Sequence, residues 1–286
     1  MSTLIDPRKA AIGIFDSGLG GLDVAGVLAQ NLPAERLLYL GDCARVPYGT
    51  RSPEVVRRYT QEAAHFFVSK GVKAIVVACN TASAYALDQI LSEVSVPVFG
   101  MIEAGVKAVL STKGNNVAVL ATPGTIRSEA YQNGIIKADH SRKIYANPCP
   151  LFVPLVEAGW ETYPVSYQVA LQQLESFRNL PIDVALLGCT HYPILKDVIS
   201  KAFYTLCNHH VELVDGAVEV VNQLREILGK QGLLAPLDHS LSYEDQYVFY
   251  TTDQPAGSST LASTFWATRS GFSLPQIHSA SLEKLR

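Results

Sequence analysis

Short, continuous apolar runs alternate along the chain with longer segments of helical character. Ala11–Phe15 reads as a buried strand, followed by a Gly-rich turn, Asp16–Gly21, and a helix to about Gln30. Arg36–Leu40 is a second strand, closed by Gly41-Asp42. Pro53 opens a helix running to about Lys70, at the first-turn position where its missing N–H costs nothing. Ala74–Ala78 is a third strand with a helix from about Ala82, and Val96–Phe99 is a fourth. Strands that are apolar at every position are buried on both faces, and the helices between them supply the cover. The pattern predicts βαβ units around a parallel sheet.

The pattern then starts again. Asn116–Leu120 leads into Thr122-Pro-Gly, Lys143–Ala146 into Asn147-Pro-Cys-Pro, and Asp183–Leu187 into Gly188-Cys-Thr-His. Their counterparts in the first half are Asp16-Ser-Gly, Asp42-Cys-Ala and Cys79-Asn-Thr, offset by 106, 106 and 110 residues. The expected fold class is α/β, with two similar lobes, each a parallel-sheet α/β sandwich. The competing reading is that any α/β chain shows comparable spacing. Further on, Val211–Val214, a helix to about Leu228 and the β-branched and aromatic Tyr247–Thr251 could return to the first lobe.

Hydrophobic residues make up 48% of the 286 and charged residues 17%, enough apolar material for a buried core and against wholesale disorder. A net charge of -3 lacks the basic footprint of a nucleic-acid binder, so a small ligand is the expected partner. Met1–Ala10 reaches charge before any apolar segment forms, and no stretch approaches the ~18 apolar residues that span a bilayer. A cytoplasmic location with no membrane partner is expected. The five cysteines are odd in number and widely spaced, which argues against a disulfide framework. No C-x-x-C and no H-E-x-x-H occurs, so no metal is expected.

In open α/β sheets, ligands bind beyond the carboxyl ends of the strands. Asp16-Ser17, Asp42, Cys79-Asn80-Thr81, Cys149 and Cys189-Thr190-His191 stand at such ends. If the lobes face each other, Cys79 and Cys189 approach one ligand from opposite sides. Inverting a stereocentre through a carbanion needs a base on one face and an acid on the other, with the roles exchanged in the reverse direction. Two thiols can do this, since a free thiol titrates near ~8.5. Helix N-termini after both cysteines would favour the thiolate, and His191 could relay protons.

Each of these residues also has a structural reading. A lone cysteine at a strand end is more often core, and Cys43, Cys149 and Cys207 are read that way. Asp16 could cap a helix, His191 could be a satisfied buried histidine, and Glu157 alone reads as a solvated helix residue. The turn Asp16-Ser-Gly-Leu-Gly-Gly-Leu-Asp23 invites a dinucleotide reading, but Asp23 falls where the third glycine belongs. Its amides more plausibly meet a carboxylate.

Five segments in order carry a resemblance: Gly13-Ile-Phe-Asp-Ser-Gly-Leu-Gly-Gly21, Gly41-Asp-Cys-Ala-Arg-Val-Pro-Tyr-Gly49, Ala78-Cys-Asn-Thr-Ala-Ser83, Leu155-Val-Glu-Ala-Gly159 and Gly188-Cys-Thr-His-Tyr-Pro193. The chain resembles the glutamate racemases of bacterial cell-wall synthesis, in the aspartate/glutamate racemase superfamily. The resemblance implies two lobes, 1–98 with 207–286 and 99–206, and an active site between them. It implies cofactor-independent conversion of L-glutamate to D-glutamate, a peptidoglycan precursor, and a homodimer. By the same resemblance, Cys79 acts on D-glutamate and Cys189 on L-glutamate. Asp16, Asp42, Glu157 and His191 match supporting acid/base positions, and Ser17, Tyr48, Gly49, Asn80, Thr81 and Thr190 match substrate-binding positions together with Asp16 and His191. The segment after Ala267 matches no motif and is given no role.

Three rivals remain at this point. One is an aspartate racemase or related isomerase, disfavoured by the loop Arg45-Val-Pro-Tyr-Gly49. Another is a cysteine hydrolase using Cys189 and His191, whose proximity on one turn suits in-line activation poorly. The last is a non-catalytic amino-acid-binding protein with the same cleft.

Overall fold

The computed structural model describes residues 6–254 and 257–282. The first half forms β1 (Ile12–Asp16), β2 (Leu37–Gly41), β3 (Ala74–Val77) and β4 (Val98–Gly100). The second forms β5 (Asn116–Ala121), β6 (Lys143–Pro148), β7 (Val184–Gly188) and β8 (Glu212–Val214). The chain then adds β9 (Tyr247–Thr251) and β10 (Ile277–Ser279). Among these residues there are two sheets, ordered β10-β9-β2-β1-β3-β4 and β6-β5-β7-β8, and all their pairings are parallel. The internal repeat is therefore real at the level of topology. The order β2-β1-β3-β4 recurs as β6-β5-β7-β8, and β9 and β10 extend the first sheet.

Every expected strand is present, close to its expected bounds. The fourth begins at Val98 rather than Val96, because Pro97 has no N–H to give a ladder and only its carbonyl takes part, accepting from Ile75 N at 2.9 Å. β10 was not foreseen: Ile277-His-Ser is short, mostly polar, and sits at a sheet edge.

The helices are α1 (Leu22–Asn31), α2 (Pro53–Ser69), α3 (Asn80–Glu93), α4 (Met101–Leu110), α5 (Pro123–Arg127), α6 (Ala130–Ala138), α7 (Phe152–Glu157), α8 (Pro164–Gln173), α9 (Lys196–Cys207), α10 (Ala217–Lys230), α11 (Tyr243–Gln246) and α12 (Ser258–Ser270). They cover both faces of each sheet, which is why the central strands are apolar throughout. On the first sheet, Ile14 and Val76 face α1 and α12, while Phe15 and Val77 face α2 and α3. On the second, Ala118 and Leu120 face α7 to α9, and Val117 and Val119 face α4 and α6. One apolar cluster is continuous across the lobes, joining Tyr39 and Phe99 to Leu120 and Leu187.

The expected boundary after residue 206 needs correction. β8 pairs in parallel with β7, so the second sheet continues to Val214. β8 is a three-residue, half-exposed edge strand, and its own sequence does not show which sheet it joins. No helix among the described residues is long and apolar enough to cross a membrane.

Candidate active site

The carboxyl ends of both sheets converge on one cavity of about 240 Å³. The first lobe lines it with Ser17, Tyr48, Gly49, Cys79, Asn80 and Thr81; the second contributes Thr122, Cys149, Val153, Glu157, Cys189, Thr190 and His191. Small residues let the lobes approach this closely. Gly124 N donates to Gly49 O across the seam at 2.8 Å, and Thr81 Oγ1 lies 2.9 Å from Thr122 Oγ1 and 3.0 Å from Thr125 Oγ1. A Cβ on Gly20 would stand 2.4 Å from Thr190 Oγ1 and 2.6 Å from His191 Nδ1.

Cys79 and Cys189 both line this cavity, from different lobes, and both are buried. Cys79 caps α3: its Sγ accepts from Ala82 N at 3.4 Å and lies 3.5 Å from Ser17 Oγ. Burial, with the Asp16 carboxylate beside it, pushes the Cys79 thiol up to about 11; the Ser17 contact and the Ala82 and Thr81 amides act the other way. Burial raises Cys189 further still, opposed by the His191 amide and reinforced by charge on Cys79, Asp16 and Glu157. The expected helix N-terminal effect is therefore not the larger influence on either thiol. The amides of α3 do favour the anion, but loss of hydration outweighs them. After Cys189 the chain makes only a 3-10 turn, Tyr192–Leu195, before α9 begins. Charge on Cys79 disfavours charge on Cys189, so the two thiols are not ionised together.

His191 stands beside Cys189, with Nδ1 4.0 Å from Sγ and 3.4 Å from Thr190 Oγ1. Its Nε2 lies 3.5 Å from Glu157 Oε1. Glu157 is partly exposed, so this pair runs from the cavity toward solvent. Asp16 is buried behind the cavity wall. Its Oδ2 accepts from Gly18 N at 2.9 Å, while Oδ1 has no hydrogen-bond partner among the described residues. Burial raises its pKa, and His191 counteracts this. The amides of the Gly-rich turn thus serve Asp16 itself rather than standing open for a ligand.

Asp42 is placed differently from the expectation. It does not line the cavity, and it is saturated: Oδ2 accepts from Tyr48 Oη at 2.6 Å and Arg45 Nε at 2.7 Å, and Oδ1 from Thr252 Oγ1 at 2.9 Å. The Tyr48 hydroxyl is committed to this carboxylate, so Tyr48 offers the cavity its ring. Asn80 Oδ1 accepts from Tyr131 Oη, which leaves the Asn80 amide group as a donor.

Nine wall residues were not among the expected site residues, Cys149, Val153 and Thr122 among them. Cys149, read as structural, lines the cavity while remaining fully buried. Val153, one turn before Glu157, adds an apolar surface. Thr122 was visible as the counterpart of Asp16 in the repeat, a signal that pointed to a strand end and hence to the site. Among the described residues no group of three or more His, Cys, Asp or Glu is arranged to hold a metal, and all five cysteines are free.

A profile of the Asp/Glu/Hydantoin racemase family matches residues 20–224. A glutamate racemase of Geobacter metallireducens is 42% identical over 274 residues, covering 96% of this chain and 97% of its own. The crystal structure of the Francisella tularensis glutamate racemase in complex with D-glutamate superposes with a TM-score of 0.86 at 35% identity, over 97% of this chain and 99% of that one. The Thermus thermophilus enzyme, in complex with beta-chloro-D-alanine, gives 0.82 at 38% identity over the same shares. With two parallel-sheet lobes and two thiols at equivalent strand ends around one cavity, this chain belongs to the Asp/Glu/Hydantoin racemase family and, within it, to the glutamate racemases.

Proposed function

We propose that the protein interconverts L- and D-glutamate without a cofactor, with Cys79 and Cys189 as the two acid/base groups. The observation that carries this reading is the pair of buried thiols, one from each lobe, on one small cavity. One thiolate takes the proton from Cα and becomes a thiol. The other thiol gives its proton to the opposite face of the carbanion and becomes a thiolate, so the product carries the inverted configuration and the proton count is unchanged. The reverse reaction exchanges the roles.

Burial raises both thiols, so each acts with a neighbour that accepts its proton. Asp16, with its free Oδ1, serves Cys79; His191, backed by Glu157, serves Cys189. The Asn80 amide and the hydroxyls of Ser17, Thr81 and Thr190 meet the substrate's carboxylates and ammonium group, with Gly49 giving close access. Tyr48 supports this wall, and Asp42 acts by holding Tyr48 and Arg45 rather than by touching substrate. The product would feed peptidoglycan synthesis in the cytoplasm, and the enzyme would be a homodimer of two-lobed subunits, with residues 1–98 and the C-terminal segment in one lobe.

The test is incubation of each glutamate enantiomer in D2O with reduced protein and no added cofactor, following optical rotation and loss of the Cα–H signal, with aspartate in parallel. Inversion with deuterium entering at Cα is expected for glutamate. Cys79→Ser and Cys189→Ser should each lower turnover by at least ~10²-fold in both directions. Near-normal turnover in either single variant would refute the two-thiol mechanism.

A further inference from the structure

His191 belongs to the second lobe, yet its ring is held by the first. On one side lies Gly20, where a Cβ would come within 2.6 Å of Nδ1 and 2.7 Å of Cε1. On another lies Phe265 of α12, its ring centroid 5.1 Å from that of His191 and its plane at 77° to it. Phe265 is fully buried. A near-perpendicular aromatic contact fixes the plane of the imidazole by packing. A polar holder would occupy a ring nitrogen; Phe265 occupies none. Nδ1 lies 4.0 Å from the Cys189 thiol and 3.4 Å from the Thr190 hydroxyl, and Nε2 faces Glu157.

The helix that presents Phe265 is itself clamped to both lobes. Arg269, one turn further along α12, pairs with Asp23 of α1 at 2.9 Å and with Asp215, just after β8, also at 2.9 Å. Gly26 of α1 lets α12 lie close, since a Cβ there would stand 2.7 Å from Arg269 Cβ. Phe265 is thus a fixed surface rather than a mobile one, and it lies outside the segment that the family profile matches.

We propose that Phe265 is a positioning residue for the reaction: packed edge-to-face against His191, it holds the imidazole where it exchanges a proton with Cys189. The proposal rests on the reading of His191 as the proton-handling partner of Cys189. A displacement of ~1 Å at a reacting group can cost ~10²-fold in rate, so a loss of about tenfold in kcat is expected when the contact is weakened.

The experiment is a double-mutant cycle in the full chain. Phe265→Ala, Phe265→Leu, His191→Asn and the combined variants are assayed with D- and L-glutamate across the pH range, with thermal unfolding as a check on folding. Phe265→Leu keeps most of the buried volume and carries the cycle if Phe265→Ala fails to fold. Expected results are lower kcat with little change in KM, a displaced pH profile, and no further loss when Phe265 is changed in the His191→Asn background. A loss that multiplies with that of His191→Asn, or wild-type kcat and pH profile in Phe265→Leu, overturns the positioning role while leaving His191's role standing. Wild-type turnover in His191→Asn alone removes the underlying reading, and the proposal with it.

Discussion

Replacing Gly20 by alanine adds one methyl group at the closest approach of the lobes. The new carbon would stand 2.4 Å from Thr190 Oγ1, 2.6 Å from His191 Nδ1 and 2.7 Å from His191 Cε1. Ordinary contact requires about 3.5 Å, so about 1 Å must be found. Both neighbours are buried and have little room to give: Thr190 sits in the seam and His191 is backed by Phe265. Overpacking of this kind costs about 1–3 kcal/mol, and displacing a reacting group by that distance costs up to ~10²-fold in turnover. Gly18→Ala, in the same turn, is the control. Its Cβ would meet nothing closer than Val46 Cγ2 at 3.5 Å, so stability should be unchanged or raised by a few tenths of a kcal/mol to about 1 kcal/mol. Racemisation followed by circular dichroism from each enantiomer, with urea denaturation alongside, reads both quantities. If Gly20→Ala matches Gly18→Ala in turnover and stability, the seam is looser than described and the account of His191 as a fixed group is wrong.

The raised Cys79 thiol gives a pH signature: the difference in thiolate absorbance between the wild type and Cys79→Ala should appear around pH 11 and fall about tenfold per unit below it. Because the folded-state value lies above the ordinary ~8.5, this thiol's contribution to stability is fully present below pH ~8.5 and is lost as pH rises toward 11; a transition near neutrality in the free protein would contradict it. Far from the site, Lys73 Nζ lies 2.5 Å from Glu35 Oε2, both side chains are 2% exposed, and Lys73 also donates to the Arg8 and Leu233 carbonyls. Lys73→Met leaves the buried Glu35 without its ion-pair partner and should cost about 3–5 kcal/mol in urea denaturation, and a loss below ~1 kcal/mol would refute a structural role for the pair.

The sequence was most informative where burial is symmetric. Ile12–Phe15 and Ala74–Val77 are covered on both faces, so each announces itself as a run without polar side chains. The cleft was legible for a related reason: reactive residues directly after such runs stand at carboxyl strand ends, and the matched turns placed Cys79 and Cys189 together. What stayed hidden depends on distant partners. Asp42 is sealed by Thr252, 210 positions away. His191 is braced by Phe265, in a helix whose sequence, Ser-Ser-Thr-Leu-Ala-Ser-Thr-Phe-Trp, has little periodic signal. The thiol pKa values follow from how much water the closed seam removes, a property of the assembled lobes. β8 showed the same dependence at the level of the fold, since only its pairing reveals the sheet it extends.

The repeated strand order has a consequence for energetics. In the proposed mechanism the two enantiomers present their Cα–H bonds to opposite walls, and the same strand position in each lobe supplies a thiol to each wall. The enantiomers are equal in free energy in water, so the equilibrium constant is one and kcat/KM must be the same from either side. Yet the walls are not identical: Ser17 stands by Cys79, and His191 by Cys189. Such differences can alter affinity and turnover only in proportion. The enantiomer with the lower KM must be the one turned over more slowly, and improving one wall alone cannot bias the mixture.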